Sequence, residues 1–519
     1  MRADYAVMNI KSKLLKNIDD YLNSVTMYRL VIYCLVFILA MALFLSVYAI
    51  LPIKPLDLLF STAFLLLTCL LINDIFAKTF GAPTNVESVY ITALILALII
   101  QPITSYNSLI FLLWAGILSI GLKYILAPHK KHIFNPVAVS VAITAITINQ
   151  SASWWVGNAH MMPFVIVAGI LITRKIRRAD LVLSFFITAL VSILGYAALH
   201  GTNLFKTTEI VLLYTPLLFF GFIMLTEPIT TPPTKFLRIA YGAIVGALFG
   251  PFVHIGAVYF TPELSLLAGN IFSYIVSPKG RLILTLKRKT QIAPQIYDFI
   301  FEPDKNLKFI AGQYLEWTLA HKHPDNRGIR RYFTIASSPT KQELRIGIKF
   351  YSNPSTYKKT LTSLNVGDKI VASQLAGDFV LPRNKKKKLA FIAGGIGITP
   401  FRSIVEYLND KNEKRDITLF FSNKTSADII YKDIFEKAKN KLDINTIYTL
   451  TEVNSVPIDW KGNKGMISEQ MIKEKTPDYK KRTFYISGPS VMVDAFKKTL
   501  KGMGLKNHQI KTDFFPGFA

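Results

Sequence analysis

Apolar runs close to the length of a membrane-spanning helix dominate the first half of this chain. A helix needs roughly 20 apolar residues to cross a hydrocarbon layer about 30 Å thick. Its backbone groups bond internally there, so helices are the expected form. The runs predict an α-helical polytopic membrane domain of about ten spans: 27–50, 56–74, 88–103, 108–126, 136–149, 161–173, 181–199, 209–225, 239–260 and 264–277.

Basic residues indicate how these spans are oriented. The first 278 residues hold 17 Lys and Arg, and 15 of these fall on the inner side if the N-terminus is cytoplasmic. Cytoplasmic loops carry such an excess, and only Lys54 and Lys206 depart from it. We therefore expect a multi-pass protein of the cell inner (plasma) membrane, with the lipid bilayer as a partner and both termini cytoplasmic.

The second half differs in charge and in periodicity. It carries most of the net charge of +27, and its apolar residues fall in short alternating strands and then in strand–helix units. Strand–helix alternation is typical of a parallel doubly wound sheet. The predicted organisation is a cytoplasmic segment at 1–26, a membrane domain at 27–278, an antiparallel β-barrel at 281–383 and an α/β domain at 388–519.

A glycine loop opens the α/β domain. An apolar strand in "LAFIAGGIGITPFRSIVEYL", residues 389–408, leads directly into Gly394, Gly395 and Gly397, and Thr399 with Pro400 opens a helix. Glycines let backbone amides approach a pyrophosphate, whose charge is favoured at a helix N-terminus. This strand–loop–helix context predicts a nucleotide-binding site.

Five motifs in order extend this interpretation to the whole second half. They are "RRYFTIASSP" at 330–339, "NPSTYKKTL" at 353–361, "GDKIVASQLAGDFVLP" at 367–382, "GGIGITPF" at 394–401 and "YISGPSVMV" at 485–493. Together they resemble the ferredoxin-NADP reductase superfamily over essentially all of 281–519. The resemblance implies an FAD-binding barrel domain, an NAD(P)-binding domain and an NAD(P)H-dependent flavin oxidoreductase.

The resemblance also implies roles for particular residues on the flavin side. Arg331 matches the arginine that forks onto the cofactor's phosphate, Phe333 the aromatic side chain beside the ring, and Thr334 the hydroxyl near the flavin N5. The terminal "DFFPGFA" resembles a segment that lies near the flavin. The implied FAD-binding residues are Arg331, Tyr332, Phe333, Thr334, Lys349, Ser355, Thr356 and Phe518.

The nicotinamide side follows in the same way. Ser487 stands where many relatives have a cysteine beside the nicotinamide, and we assign it with Thr334 as the catalytic pair. The nucleotide is NADH or NADPH; NADH is favoured slightly because Lys424 alone makes no 2′-phosphate clamp. The implied nucleotide-binding residues are Gly394, Gly395, Gly397, Thr399, Pro400, Gly488, Pro489 and Met492.

Metal cofactors are not expected. The chain has two cysteines, Cys34 and Cys69, whereas an iron–sulfur cluster usually needs four. The histidines of the first half do not form the two same-helix pairs that a bis-histidine haem requires. We predict no metal site and no nucleic-acid partner, so any electron transfer uses organic cofactors.

Polar segments between the apolar runs suggest a second flavin. "KHIFNP" at 131–136 and "TEPITTPPT" at 226–234 make residues 50–278 resemble NqrB and RnfD, membrane subunits with ten spans that carry flavin within the membrane. The covalent attachment motif of those subunits is absent, which favours a non-covalent flavin, FMN or riboflavin. The predicted pocket residues are Asn135, Thr226, Glu227, Thr230 and Thr231.

These parts predict a membrane flavoprotein oxidoreductase. Electrons would pass from cytosolic NAD(P)H through FAD and the membrane flavin to an extracytoplasmic acceptor, for example a flavoprotein. One alternative is an NAD(P)H:quinone reductase that takes its acceptor from the lipid. Another is a transporter or channel whose reductase-like domain senses redox state.

Overall fold

The structure, a computed structural model, describes residues 17–22, 24–81, 86–126, 132–250, 252–256, 258–277, 281–325 and 327–513. The predicted flavin-side residue Phe518 lies outside them. The chain forms two compact units, Met1–Gly280 and Arg281–Ala519. Each unit is described by itself below.

The N-terminal unit is helical, and each predicted span contains a helix. A short hairpin of β1 (His254–Ile255) and β2 (Val258–Tyr259) precedes the last of these helices. The helices are α1 Met27–Val47, α2 Pro55–Phe80, α3 Val86–Ile99, α4 Tyr106–Ile125, α5 Pro136–Thr147, α6 Met162–Ile176, α7 Ala179–Leu199, α8 Leu204–Leu213, α9 Leu217–Phe219 with a π-helical turn at Phe220–Met224, α10 Lys235–Leu248 and α11 Pro262–Val276.

The number of full-length spans is smaller than predicted. Among the described residues, α1, α2, α4 and α7 are long and apolar enough to cross a membrane, and α8 with α9 makes a fifth if that pair, bent by 58°, is one span. Helices α3, α5, α6, α10 and α11 have only 12 to 15 residues. At about 1.5 Å per residue they fall short of a 30 Å layer.

Polar caps and prolines explain the short helices. The side chain of Asn135 caps α5, and Pro136 occupies its first turn, so the helix cannot begin earlier. Helix α3 ends shortly before Pro102, which cannot continue it. The expectation of ten full-length spans is therefore not supported.

Helix α2 of this unit exposes apolar side chains and buries polar ones. Helix α2 exposes Leu59, Leu67 and Leu71, with Leu67 58% exposed, while it buries Thr68 and leaves Asn73 only 8% exposed. Apolar surface of this kind is costly in water and favourable in lipid. Polar groups inside a membrane-spanning bundle are characteristically turned toward its interior.

The C-terminal unit begins with six antiparallel strands around one core. The sheet order is β6-β5-β8-β3-β4-β7, and the core contains Phe299, Phe301 and Trp317. Short helix α12, Thr356–Ser363, connects β7 with β8. The strands are β3 Leu282–Ala293, β4 Ile296–Pro303, β5 Tyr314–Thr318, β6 Arg330–Thr334, β7 Leu344–Lys349 and β8 Lys369–Ala376.

A parallel sheet follows, in the order β12-β11-β10-β9-β13-β14. Strand order reverses at β9, which has β10 on one side and β13 on the other. Ligands of such sheets bind beyond the carboxyl ends of the strands at this point. The elements are β9 Leu389–Gly394, α13 Thr399–Lys411, β10 Ile417–Asn423, α14 Lys432–Leu442, β11 Asn445–Leu450, β12 Asn463–Lys464, α15 Glu469–Lys475, β13 Thr483–Ser487, α16 Ser490–Gly502 and β14 Ile510–Asp513.

Both predicted β-containing domains are therefore present. The antiparallel sheet corresponds to the predicted barrel, and the parallel sheet with its helices corresponds to the predicted α/β domain. Each sheet has its own apolar core, which is why its periodicity could be recognised in the sequence.

Candidate functional site

The glycine loop lies at the switch point of the parallel sheet. Strand β9 ends at Gly394, residues Gly395–Ile398 form one 3₁₀ turn, and α13 begins at Thr399. Gly395 has a φ of 51°, a left-handed conformation that favours glycine, and no other atom lies where its Cβ would stand. The loop therefore presents open backbone at a helix N-terminus, as anion binding requires.

The loop that follows β13 lies directly against the glycine loop. Strand β13 ends at Ser487, which is paired through Ala393 with the end of β9. A Cβ on Gly397 would lie 2.4 Å from the carbonyl oxygen of Ser487, and one on Gly394 would lie 2.3 Å from the sulfur of Met492. The predicted nicotinamide-side residues from the two motifs therefore converge.

Asn423 provides a test of fit for a nucleotide. It ends β10, whose penultimate residue Ser422 pairs with Gly394, and it is only 4% exposed. Neither its side-chain oxygen nor its side-chain nitrogen has a hydrogen-bond partner among the described residues. A buried carboxamide is costly unless something bonds it, so this position fits the hydroxyls of a bound nucleotide.

Replacement of this side chain tests the assignment. We expect Asn423→Ala to raise the KM for NADH by about tenfold, the effect of roughly one lost hydrogen bond, with kcat little changed. The matched control is Asn445→Ala, which removes an exposed carboxamide at the opposite end of a neighbouring strand. Steady-state kinetics with a ferricyanide acceptor measure both; equal effects in the two variants would contradict the assignment.

Arg331 is the buried cation of the flavin motif. It lies on β6 and is 5% exposed, and its Nη1 donates to the carbonyls of Arg327 and Arg330, each at 2.7 Å. Its guanidinium stacks 4.9 Å from the ring centre of Tyr357. Burial lowers the pKa of Arg331 to about 10, so it stays charged at neutral pH.

Further positive charge surrounds Arg331. Burial, together with the charges of Arg331 and Arg327, lowers the pKa of Lys358 to about 8. Lys358 lies in the first turn of α12, which Ser355 caps through its hydroxyl oxygen. Clustered cations at a helix N-terminus fit a diphosphate such as that of FAD. The sequence motif contained Lys358 and Tyr357, but the stacking of Tyr357 on Arg331 and the influence of the Arg331 charge on Lys358 became evident only from the structure.

Thr356 and Lys349 have partners within the protein. The amide of Thr356 donates to the Asp325 carboxylate at 3.0 Å, and its hydroxyl oxygen accepts the Asp325 amide at 3.0 Å. Thr356 therefore anchors the preceding loop. The Lys349 ammonium lies 3.3 Å from Asp428, which follows β10, so it faces the nucleotide-binding sheet.

The other flavin-motif residues alternate along β6. Phe333 packs 6.2 Å from the Tyr357 ring, on the same side as Arg331. Tyr332 points the other way, is 37% exposed, and donates its hydroxyl to Glu316 at 2.9 Å. Thr334 is buried at the end of the strand. The Arg331–Phe333 face is therefore the one that joins the basic cluster.

In the N-terminal unit, three of the five predicted pocket residues are bonded together. The Asn135 carboxamide donates to a Glu227 carboxylate oxygen at 3.0 Å, and the Thr230 hydroxyl donates to the same oxygen at 3.2 Å. The hydroxyls of Thr226 and Thr231 instead donate to backbone carbonyls close by in sequence. The two polar motifs thus meet at Glu227, which is 92 positions from Asn135 in the sequence.

A cleft opens beside this junction. Its walls are mainly apolar, with Asn135, Thr226 and Glu227 among the lining residues together with Ser88 and Thr92, which the sequence did not suggest. The cleft has a volume of about 80 Å³, or about 710 Å³ when the open space at its mouth is included. Its lining combines hydrogen-bond donors and acceptors with apolar walls.

Lys123 and Asn270 form hydrogen bonds with residues that line this cleft. The Lys123 ammonium donates to the Thr92 hydroxyl at 2.6 Å and to the Ser88 carbonyl at 3.1 Å. The Asn135 amide donates to the Asn270 side-chain oxygen at 2.7 Å. Single lysines and asparagines in apolar runs carry no spacing signal, so sequence reasoning missed both.

The two cysteines lie on α1 and α2 of the N-terminal unit. Cys34 and Cys69 are both buried and free. Over the described residues, no group of three His, Cys, Asp or Glu side chains could hold a metal ion.

Comparisons with known proteins bear on the second half. Residues 391–498 match the oxidoreductase NAD-binding domain. NADH-cytochrome b5 reductase 1 of Aspergillus terreus is 29% identical over 241 residues, 44% of this chain and 80% of that protein. The flavohemoprotein of Oceanobacillus iheyensis is 27% identical over 44% of this chain and 57% of its own length.

Among solved structures, this chain is similar to the cytochrome b5 reductase domain of Ulva prolifera nitrate reductase. The match covers 46% of this chain and 98% of that chain, with 19% identity and a TM-score of 0.39. The family match falls on the strands and helices that carry the glycine loop. The C-terminal unit is therefore an FAD- and NAD-binding module of the ferredoxin-NADP reductase type, which confirms the prediction of an NAD(P)H-dependent flavin oxidoreductase.

Proposed function

We propose that this protein is a membrane flavoprotein that carries electrons from cytosolic NAD(P)H to an acceptor on the other side of the membrane. The observation that carries the proposal is the Asn135–Glu227–Thr230 junction beside an apolar cleft, in a chain that also contains a reductase module. A reductase alone needs no polar junction inside an apolar helical unit. Such groups are costly in a membrane and mark functional sites there.

In the reductase module, the chain's own residues would bind and orient the nicotinamide nucleotide and FAD. The open amides of the Gly394–Gly397 loop and the N-terminus of α13 favour the nucleotide's pyrophosphate, and Asn423 bonds its hydroxyls. Arg331 and Lys358 neutralise the diphosphate of FAD. Bound FAD would accept a hydride and release electrons singly. Thr334 at the end of β6 and Ser487 at the end of β13 are its proposed catalytic pair.

In the membrane unit, we propose a flavin, FMN or riboflavin, at the place suggested by the resemblance to NqrB and RnfD, but bound non-covalently because their covalent attachment motif is absent here. Asn135, Thr226 and Glu227, which line the cleft, would contact the polar edge of this flavin, and the Thr230 hydroxyl holds the Glu227 carboxylate in place. The apolar walls of the cleft would exclude water from the ring. The chain would thus provide a second flavin site without any metal.

The proposed location follows from the same unit. Outward leucines on α2 favour a lipid environment, and the distribution of lysines and arginines favours cytoplasmic termini in the plasma membrane. The acceptor would then be extracytoplasmic, for example a flavoprotein. No nucleic acid takes part.

Flavin counting tests the proposal directly. The full chain, purified in detergent and then denatured, should release FAD and one further flavin, each close to one per chain, with no fluorescence left on the polypeptide. Asn135→Leu combined with Glu227→Gln should remove the second flavin and leave FAD unchanged, because the altered residues belong to the other unit.

The control is Thr208→Ala, a half-buried position on α8 that does not line the cleft. A single flavin per chain in the wild type would contradict the two-flavin proposal. NADH oxidation by the purified chain with only a quinone added would support the quinone reductase instead. Ion or solute transport without stoichiometric NADH consumption would support the redox-sensing transporter.

A further inference from the structure

Helix α13 is bonded to the segment that follows strand β6. This helix begins at the glycine loop, and Arg402 in its first turn donates to the carbonyl of Ala336, two residues beyond Thr334. One turn later, Glu406 accepts the amide of Ser338 at 2.7 Å and the Arg402 guanidinium at 2.9 Å. Arg402 is 3% exposed, so these charge-assisted bonds are shielded from water.

Two further bonds repeat this pattern along the same helix. The Ser403 hydroxyl donates to the carbonyl of Ser337 at 2.7 Å, and the Thr340 hydroxyl donates to the carboxylate of Asp410. The contacts occur on successive turns of α13. The helix that carries the glycine loop is therefore fixed in register against the segment that continues the flavin strand.

Tyr431 makes a second contact between the same two subdomains. It precedes α14, and its hydroxyl donates to the buried carboxylate of Asp298 on β4, which also accepts Arg345 of β7 at 2.6 Å. The Tyr431 ring lies 4.9 Å below the guanidinium of Arg402. A Cβ on Gly347 would approach the Tyr431 hydroxyl to 2.5 Å, so the barrel leaves space for this side chain.

A cleft of about 480 Å³ flanks these contacts, but it does not present an unbalanced charge to a ligand. Its acidic and basic side chains mostly neutralise each other. The pairs are Asp298 with Arg345, Glu406 with Arg402 and Asp410 with Lys341. The side chains therefore serve the contact between the subdomains.

We propose that Arg402 and Tyr431 are positioning residues for hydride transfer. Over the residues that the structure describes, neither side chain contacts Arg331, Phe333 or Thr334, and both bond elements that carry the flavin strand to elements that carry the nucleotide site. Hydride transfer requires donor and acceptor at a near-attack distance, and a displacement of about 1 Å costs up to a hundredfold in rate. The proposal rests on NAD(P)H-dependent flavin reduction and is independent of the membrane flavin.

The proposal is tested by mixing the purified full chain rapidly with NADH. The rate of flavin reduction is measured from the loss of the absorbance of the oxidised flavin. We expect Tyr431→Phe to slow flavin reduction by about tenfold, and Tyr431→Phe with Arg402→Leu by about a hundredfold. The Kd for NADH should change by less than about twofold, since the nucleotide-binding groups are intact. Arg402→Lys should restore part of the rate lost in Arg402→Leu.

Tyr448→Phe is the matched control. It also removes a tyrosine–carboxylate bond, to Glu436 at 3.4 Å, but both partners belong to the nucleotide-binding sheet and its helices. Its reduction rate should equal that of the wild type. The proposal is overturned by unchanged rates in the Tyr431 and Arg402 variants, by an equal fall in Tyr448→Phe, or by a fall that matches loss of bound FAD. A wild type that NADH cannot reduce would refute the reductase itself.

Discussion

Arg331→Ala should purify with almost no FAD. The side chain brings a full positive charge to a buried position, where hydrogen bonds to a phosphate are strong because they are charge-assisted. Each such bond contributes about 1.5–3 kcal/mol, so two bonds account for at least two orders of magnitude in affinity. The ratio of flavin absorbance to protein absorbance measures the occupancy.

The neighbouring arginine is the matched control. Arg330 lies on the opposite face of the same strand and pairs with Glu316 at 3.6 Å, so Arg330→Ala removes the same charge without opening the basic cluster. It should retain FAD. Arg331→Lys keeps the charge but loses the paired N–H donors of the guanidinium, so the FAD occupancy of this variant should be intermediate. Full FAD occupancy in Arg331→Ala would refute the assignment of this residue.

The fold of the second half could be predicted because its signals are local. Strand alternation, the Gly394–Gly397 loop and the Gly488-Pro489 turn each have a recognisable spacing, and both sheets formed as the spacing indicated. Positions that depend on tertiary packing were not predictable. Tyr357 stacks on Arg331, and Tyr431 reaches Asp298 across 132 intervening residues, without any periodic pattern.

The first half was predictable in element type and less so in element length. Hydropathy reports which residues avoid water, and every apolar run contains a helix. It does not report where a cap such as Asn135 or a break such as Pro102 limits the hydrogen-bonded ladder. For the same reason the 226–234 motif could be identified as important, while the bond from Glu227 to Asn135 required the structure.

Gly397→Ala should abolish turnover with NADH and leave FAD bound. The added Cβ would lie 2.4 Å from the Ser487 carbonyl oxygen and 2.6 Å from the Gly488 Cα. Both are backbone atoms, Ser487 at the end of a strand paired directly with β9 and Gly488 immediately after it, so neither can move aside like a flexible side chain. The glycine loop must therefore separate from the loop after β13, which opens the nucleotide site from both sides.

The expected loss is about a hundredfold or more in kcat/KM for NADH, because both the pyrophosphate amides and the approach of the nicotinamide depend on this contact. FAD occupancy should stay near that of the wild type, since Arg331 lies on the other sheet. Gly502→Ala is the control: it ends α16, and nothing lies within 4 Å of its added Cβ. Steady-state kinetics with ferricyanide separate the two variants, and a Gly397→Ala enzyme that oxidises NADH normally would show that the two loops need not touch for the reaction.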